Sequence, residues 1–236
     1  KKVIILDLDN TLWKGIVADY GYNNIELGAD SVDGLSFLLF QKYLKFLKSI
    51  GILLAINSKN DLKNIKEVFR KNKHMILKLS DFSSIQCNWD SKSDNINKIK
   101  TELNLSEDSF IFIDDNNVEC DLIRKYNPSV TVIKFDSPEE TINLLEENNY
   151  FNFENITKED LIRSKTKIKK NKNLLFKYKN KNQYDQFLQS LKMRSIIRKA
   201  NKNDLDRLTQ MELRTNQFNL ITSRMPKNKI NYFISK

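Results

Sequence analysis

Short apolar runs alternate along the first 150 residues with longer segments whose apolar residues recur at helical spacing. The apolar runs cover residues 3–6, 52–56, 110–113 and 130–135, and the helical patterns cover 35–50, 62–69, 118–126 and 138–148. Apolar runs of this length are typical of strands that are buried on both faces of a parallel sheet. The pattern therefore predicts an α/β fold, a doubly wound Rossmann-type parallel sheet with helices on both faces.

Three segments of this region are less regular. Residues 12–27 contain two glycines and predict a short hairpin or flap over the end of the first strand. Short strands are predicted at 75–77 and 85–87. Ser93 precedes apolar residues at helical spacing and is predicted to be the N-cap of the next helix.

The last third of the chain differs in charge. Residues 1–150 carry 19 Lys and Arg against 23 Asp and Glu, whereas residues 151–236 carry 21 against 7. We interpret 151–191 as a basic helical linker, with its charge concentrated in 163–181, and we expect a strand at 193–198 before a further helix. The basic run is most simply a solvated helix face. Docking of an acidic carrier protein is an alternative, and nucleic acid is the weaker one because no binding motif accompanies the charge.

Polar side chains follow the predicted strands, where open α/β sheets bind their ligands. In chain order these residues are Asp7, Asp9, Ser58, Lys92, Asp114 and Asp115. Two acids at one strand end repel each other unless a cation lies between them, which indicates a Mg²⁺ site.

The set fits phosphoryl transfer. One carboxylate attacks phosphorus, and a second, two residues on and on the same face of an extended chain, acts as general acid and base. Ser58 and Lys92 would hold the phosphoryl oxygens and neutralise the charge that develops on them.

These residues resemble the four motifs of the haloacid dehalogenase (HAD) superfamily. Residues 7–15, 55–60 and 112–116, together with Asn88, Trp89 and Lys92, are similar to the FkbH-like branch, subfamily IIIC. Residues 215–219 resemble the point at which such proteins continue into an acetyltransferase-like (GNAT-like) domain. The resemblance implies a HAD-like domain over 1–150 and the incomplete start of a GNAT-like domain over 192–236.

The resemblance also implies roles for the residues. Asp7 is expected to be the nucleophile and Asp9 the acid and base. The ligands of the metal are expected to be the Asp7 carboxylate, the Asp9 backbone carbonyl and Asp114, with Asp115 supporting it through water.

For the chain as a whole, the resemblance implies an enzyme that takes a glyceryl unit from 1,3-bisphosphoglycerate, removes phosphate and loads the acyl group on an acyl carrier protein. Two alternatives stay open: a stand-alone phosphatase that acts on a sugar phosphate or another metabolite, and a non-catalytic adaptor that binds a carrier protein. The intact acids and lysine argue against the adaptor.

One departure from the family concerns Asn117 and Cys120, which stand where the family pattern has Pro and Arg. The resemblance implies that an enzyme thiol can take part in glyceryl transfer, so Cys87 and Cys120 are candidates for acyl transfer. The simpler interpretation of both is a small buried side chain. Trp13 and Trp89 are interpreted as packing residues.

The compartment and the access to the site are further expectations. The widely spaced cysteines are expected to be free thiols of a reducing compartment. There is no apolar run near 18 residues and no signal-peptide pattern, so we expect a cytoplasmic protein without a membrane segment. Since no domain-sized insertion fits between the motifs, the site is expected to be uncapped apart from the small flap.

Overall fold

The fold is known from a computed structural model. It describes residues 1–151, 189, 192, 194–214 and 225–235. The chain divides into two compact units, residues 1–169 and 170–236. Among the described residues no helix is both long and apolar enough to cross a membrane. The basic run at 163–181 and the motif at 215–219 lie outside the described residues.

The first unit contains a five-stranded sheet in which every neighbouring pair of strands is parallel. Its strands are β1 (Val3–Leu6), β2 (Leu53–Ser58), β3 (Phe82–Cys87), β4 (Phe110–Asp114) and β5 (Thr131–Lys134). Its helices are α1 (Val17–Tyr20), α2 (Val32–Ser49), α3 (Leu62–Lys71), α4 (Lys92–Leu103), α5 (Asn117–Tyr126) and α6 (Pro138–Glu147). The strand order is β3-β2-β1-β4-β5. The predicted α/β fold is confirmed.

Each face of the sheet carries its own apolar core. Ile4 and Leu6 of β1 pack into the core that includes apolar residues of α2, α3 and α6. Val3 and Ile5, which point the other way, pack with residues of α4 and α5. Because β1 is buried on both faces, its continuous apolar run is the pattern that a central parallel strand requires.

The N-cap of helix α4 lies two residues before the predicted one. Its N-cap is Ser91 and its first residue is Lys92, so the prediction of Ser93 as the cap was wrong. The Ser93 hydroxyl is buried and donates a hydrogen bond to Asn127 Oδ1 at 2.6 Å. Serine is common at N-caps, and nothing in the local sequence indicates that the Ser93 hydroxyl bonds to a distant asparagine instead.

The strand predicted at 75–77 does not form. The backbone N–H groups of Ile76 and Leu77 donate to Gln41 Oε1 at 3.0 and 3.2 Å, and the buried Gln41 amide donates to Leu12 O at 3.0 Å. A single glutamine from α2 therefore satisfies backbone groups that a neighbouring strand would otherwise bind.

A flap of residues 10–31 lies between β1 and α2. An antiparallel bridge joins Lys14 and Glu26, and α1 lies between them. Trp13 is fully buried and packs edge-on against Phe69 of α3, with 6.0 Å between the ring centroids. Within residues 1–151, the flap is the one insertion over the carboxyl end of β1, and no cap domain is present.

The second unit is described in part. A 3₁₀ turn at Lys202–Asp204 leads into α7 (Leu205–Arg214), and α8 (Lys227–Ile234) follows. Lys227 Nζ lies 2.6 Å from Asp206 Oδ1, an ion pair that links α8 to α7. Residues 194–200 have no regular structure, so the strand predicted at 193–198 is absent from the part described. The expected GNAT-like identity of this region stays a prediction.

Candidate active site

The candidate site lies at the carboxyl ends of β1, β2 and β4. β1 and β4 are neighbours in the sheet. After β1 the chain continues to β2 and β3 on one side, and after β4 it continues to β5 on the other. The gap between β1 and β4 is therefore the topological switch point, where α/β sheets bind ligands. Asp7 follows β1, Ser58 ends β2 and Asp114 ends β4. The Asp7 N–H donates to Ile113 O at 3.0 Å, which ties the residue beyond β1 to the end of β4.

A lysine between two carboxylates forms the centre of the site. Lys92 Nζ lies 2.9 Å from Asp7 Oδ1 and 2.5 Å from Asp114 Oδ2. The side chains of Lys92, Asp7 and Asp114 are 4%, 10% and 0% exposed. The sequence predicted that these three residues meet, and they do.

The charges of this cluster shift the pKa values of Lys92, Asp114 and Asp115. Burial lowers the pKa of Lys92, but the charges of Asp7 and Asp114 raise it more, and the pKa lies above its ordinary value. Burial, with the Asp7 charge, raises the pKa of Asp114 to about 7, against the opposing effect of Lys92. Burial and the Asp7 charge also raise the pKa of Asp115. A further cation would relieve this repulsion.

Three carboxylates offer oxygen atoms to such a cation. One oxygen each from Asp7, Asp114 and Asp115 lies within 4.8 Å of the others. An all-oxygen, carboxylate-rich donor set suits a hard divalent ion such as Mg²⁺. The donor chemistry therefore fits the metal that the sequence implied, with Asp115 in the carboxylate cluster and the Asp9 side chain outside it.

Asp9 is bound by the flap and by the residues after β2. Its Oδ1 accepts from Trp13 Nε1 at 3.0 Å and from the Val17 N–H at 3.1 Å, and its Oδ2 accepts from Asn60 Nδ2 at 2.9 Å. Burial raises the pKa of Asp9, although these three hydrogen bonds each lower it. Trp13 is thus more than a packing residue, since it fixes the orientation of an acid in the site.

Asn60 is a site residue that the sequence analysis did not single out. Its Nδ2 group donates to Asp9 Oδ2 and also to Ser58 Oγ at 3.2 Å, so one amide joins two predicted site residues. Both Asn60 and Ser58 are buried. The available signal was its position two residues after Ser58, within the segment that carries the family resemblance.

Both cysteines lie beside the site as free thiols. The Cys87 thiol donates to Asn60 O at 3.4 Å, and the Cys120 thiol donates to Asp114 O at 3.5 Å. Burial, with the charge of Asp7, raises the pKa of Cys87 to about 12, and burial, with the charge of Asp114, raises that of Cys120 to about 11. Both are protonated at neutral pH.

Two further residues at the rim were assessed from the sequence. Trp89, predicted to pack, is 74% exposed in the loop before Lys92, because that loop turns its indole away from both cores. The departure at Asn117 does not disturb the start of α5, since the side chain of Asn116 caps the helix by accepting from the Val118 N–H at 2.9 Å.

Among solved structures, this chain is similar to the N-terminal part of protein BF1531 from Bacteroides fragilis, which contains a phosphatase domain and was crystallised with Mg. The identity is 42% and the TM-score 0.62, over 64% of this chain. The match covers 41% of that crystallised chain.

Two other structures are weaker matches. One is an uncharacterised protein from Corynebacterium glutamicum, with 11% identity, a TM-score of 0.40 and coverage of 61% of this chain and 93% of that one. The other is a HAD family enzyme from Bacteroides thetaiotaomicron, crystallised with magnesium and inorganic phosphate, with 13% identity, a TM-score of 0.39 and coverage of 58% and 94%. At these TM-scores neither adds to the assignment.

No family model matches the chain, and no curated protein matches it. The α/β fold with a parallel sheet is the one that the sequence predicted, and membership of the HAD superfamily stays a prediction.

Proposed function

We propose that the first unit is a Mg²⁺-dependent phosphatase that acts on a phosphorylated small molecule through Asp7. The observation that carries the proposal is the cluster at the switch point, in which one buried ammonium group lies between Asp7 and Asp114 and a third carboxylate lies close by. The likeness to a phosphatase domain that was crystallised with Mg supports it.

The chain's residues can carry out both halves of a hydrolysis. The Asp7 carboxylate attacks phosphorus while the bond to the leaving oxygen breaks, and Asp9 gives that oxygen a proton. Water then attacks the aspartyl-phosphate, Asp9 takes a proton from that water, and inorganic phosphate leaves with Asp7 restored. Lys92 orients Asp7 and holds a phosphoryl oxygen.

A metal would be held by the carboxylates of Asp7, Asp114 and Asp115. Mg²⁺ bound there supplies positive charge that offsets the charges of the carboxylates and of the phosphoryl group. The raised pKa of Asp9 suits a group that donates a proton in one step and accepts it in the next.

The test is release of inorganic phosphate from p-nitrophenyl phosphate, with Mg²⁺ and after its removal by EDTA. We expect Asp7→Asn to lower the rate by about 10³-fold or more. Asp121→Asn is the matched control, because this exposed carboxylate on α5 pairs with Arg124 at 2.7 Å and should leave the rate unchanged. An inactive wild type, or full activity of Asp7→Asn, would refute the proposal.

A finer proposal is that the phosphatase serves glyceryl transfer from 1,3-bisphosphoglycerate to an acyl carrier protein. Its support is the resemblance of residues 7–15, 55–60 and 112–116 to the FkbH-like branch. The acyl carbon would exchange its bond to the 1-phosphate oxygen for a bond to the carrier thiol sulfur. Inorganic phosphate would leave, and the thiol proton would be released. The 3-phosphate would be hydrolysed at Asp7.

Intact-mass spectrometry of carrier proteins incubated with enzyme and 1,3-bisphosphoglycerate tests this finer proposal. A glyceryl adduct that depends on Asp7 is the expected result. If no carrier gains the adduct while phosphate is still released, the function is that of the stand-alone phosphatase. Where the adduct does form, the variants Cys87→Ala and Cys120→Ala decide whether an enzyme thiol takes part in the transfer.

A further inference from the structure

Three asparagine side chains form a hydrogen-bonded network beside the site. Asn95 Nδ2 donates to Asn57 Oδ1 at 3.1 Å and to Asn88 Oδ1 at 3.0 Å, and Asn88 Nδ2 donates to Asn95 Oδ1 at 3.4 Å. Asn57 and Asn95 are fully buried. We name Asn57, Asn88 and Asn95 the amide network.

The amide network is bonded to the backbone of two predicted site residues. Asn57 Nδ2 donates to the backbone carbonyl of Lys92 at 2.9 Å. The Asn88 N–H donates to the backbone carbonyl of Ser58 at 3.2 Å. The network thus connects the end of β2, the loop after β3 and the first residue of α4.

The position of Asn57 on β2 indicates that core packing alone does not explain the amide network. Leu53 and Ala55 precede it on the same face of the strand, and both belong to the apolar core beneath α4. An apolar side chain would continue that core, whereas a buried amide costs free energy unless each of its polar atoms is bonded. The polar residue occurs where the strand reaches the site.

We propose that Asn57 and Asn95 are positioning residues that fix the backbone of Lys92, so that its ammonium group lies between Asp7 and Asp114. The inference rests on the proposed phosphatase function for its kinetic consequences. The Lys92 side chain reaches the carboxylates from the first residue of α4, so a displacement of that residue moves Nζ away from one of them. Misplacement by about 1 Å at a catalytic centre costs up to ~100-fold in rate.

Asn57→Asp is the first variant. It keeps the oxygen that accepts from Asn95 but replaces the donor to Lys92 O with a carboxylate oxygen. We expect kcat for p-nitrophenyl phosphate to fall ~10- to 100-fold, with KM changed less than ~3-fold, because the interaction of Lys92 strengthens in the transition state. Asn97→Asp is the matched control: it makes the same chemical change on an exposed residue of α4 and should leave kcat unchanged.

A double-mutant cycle with Lys92→Met separates positioning from general destabilisation. If Asn57 acts through Lys92, Asn57→Asp should lower kcat by less than ~3-fold in the Lys92→Met background. It should lower the urea midpoint of unfolding equally in both backgrounds. Independent, multiplicative effects on kcat would overturn the inference, as would a wild-type kcat in Asn57→Asp.

A chemical readout tests the same inference without activity. Lys92 is buried between two carboxylates, so reductive methylation of its amine should be slow in the native protein. Asn57→Asp should raise the rate at Lys92 at least ~10-fold, with the exposed Lys100 on the same helix unchanged, since release from burial exposes the amine. Unchanged labelling of Lys92 would overturn the inference. A wild type without phosphatase activity would refute the proposed function alone.

Discussion

The buried lysine of the candidate site allows a sharp test of its geometry. Lys92→Met keeps most of the side-chain volume and removes the charge between Asp7 and Asp114. Breaking a buried ion pair by removing one partner typically costs ~3–5 kcal/mol, because the remaining charge is left uncompensated. For a domain of this size that corresponds to about 6–20 °C in Tm, at ~2–4 °C per kcal/mol.

Lys100→Met is the matched control, because it lies on the same helix but pairs at the surface. Its Nζ lies 2.9 Å from Glu107 Oε1, and the lysine side chain is 48% exposed. Exposed pairs contribute ~0–1 kcal/mol. Thermal unfolding in EDTA at pH 8 should therefore separate the two variants clearly. Equal losses of stability would refute the placement of Lys92 between two buried carboxylates.

The pH dependence of the same variant follows from Asp114. Its pKa of about 7 in the folded protein lies above the ~3.9 of an unfolded chain, so between these values the native state holds a proton that the unfolded state lacks. This contribution to stability therefore falls as the pH rises through that window. Removing the Lys92 charge raises the pKa of Asp114 further, and the stability lost in Lys92→Met should grow from pH 5.5 to pH 8.5. A loss that shrinks with rising pH would contradict the argument.

Two further predictions concern side chains away from the reacting centre. Asp81 accepts from Lys45 Nζ at 2.5 Å and from Lys48 Nζ at 2.7 Å. Burial raises its pKa, but these lysines lower it more, so Asp81→Asn should cost ~1.5–3 kcal/mol in urea unfolding at pH 7. The difference should begin to shrink as the pH falls below about 4, where the unfolded carboxylate takes up a proton, and should vanish only below the lowered pKa of the folded Asp81. Burial raises the pKa values of Cys87 and Cys120. Both thiols should therefore react with iodoacetamide at pH 7.5 at least ~100-fold more slowly than a free thiol, as measured by peptide mass spectrometry. Rapid labelling of the fully buried Cys120 would contradict this prediction.

The parts of the fold that could be predicted are those whose signal is local. β1 and β4 are continuous apolar runs because each is buried on both faces, and the cap at Ser137 precedes a proline and two glutamates. The missed parts depend on distant partners. The bonds from Gln41 to residues 76 and 77 span at least 35 positions, and no property of 75–77 alone indicates them.

The candidate site divides in the same way. Asp7, Lys92 and Asp114 were predicted to meet because parallel strand ends converge on one edge of the sheet, and charged residues at such ends are uncommon without a function. Asn57, Asn60 and Asn95 carry no such signal. Asparagine is common in turns and throughout this chain, so its presence in the sequence does not mark a site. The roles of these three residues follow only from the structure, which shows the groups that their amides bond.

The expectation that Asp7 and Asp9 share a face required an extended chain through both residues. β1 ends at Leu6, and the N–H groups of Thr11 and Leu12 donate to Leu8 O at 3.1 and 2.7 Å. Asn10 has φ of 53°, so a turn that contains Asp9 begins just after Asp7. Asp7 turns towards the Lys92 ammonium group, while Asp9 is held by the flap and by Asn60. Different surroundings commonly divide a pair of carboxylates between two roles. The Lys92 ammonium group binds the carboxylate that is the proposed nucleophile, and burial of Asp9 raises its pKa, as suits a group that exchanges a proton. The turn after β1, more than the spacing of the two acids, therefore supports their assignment to different steps.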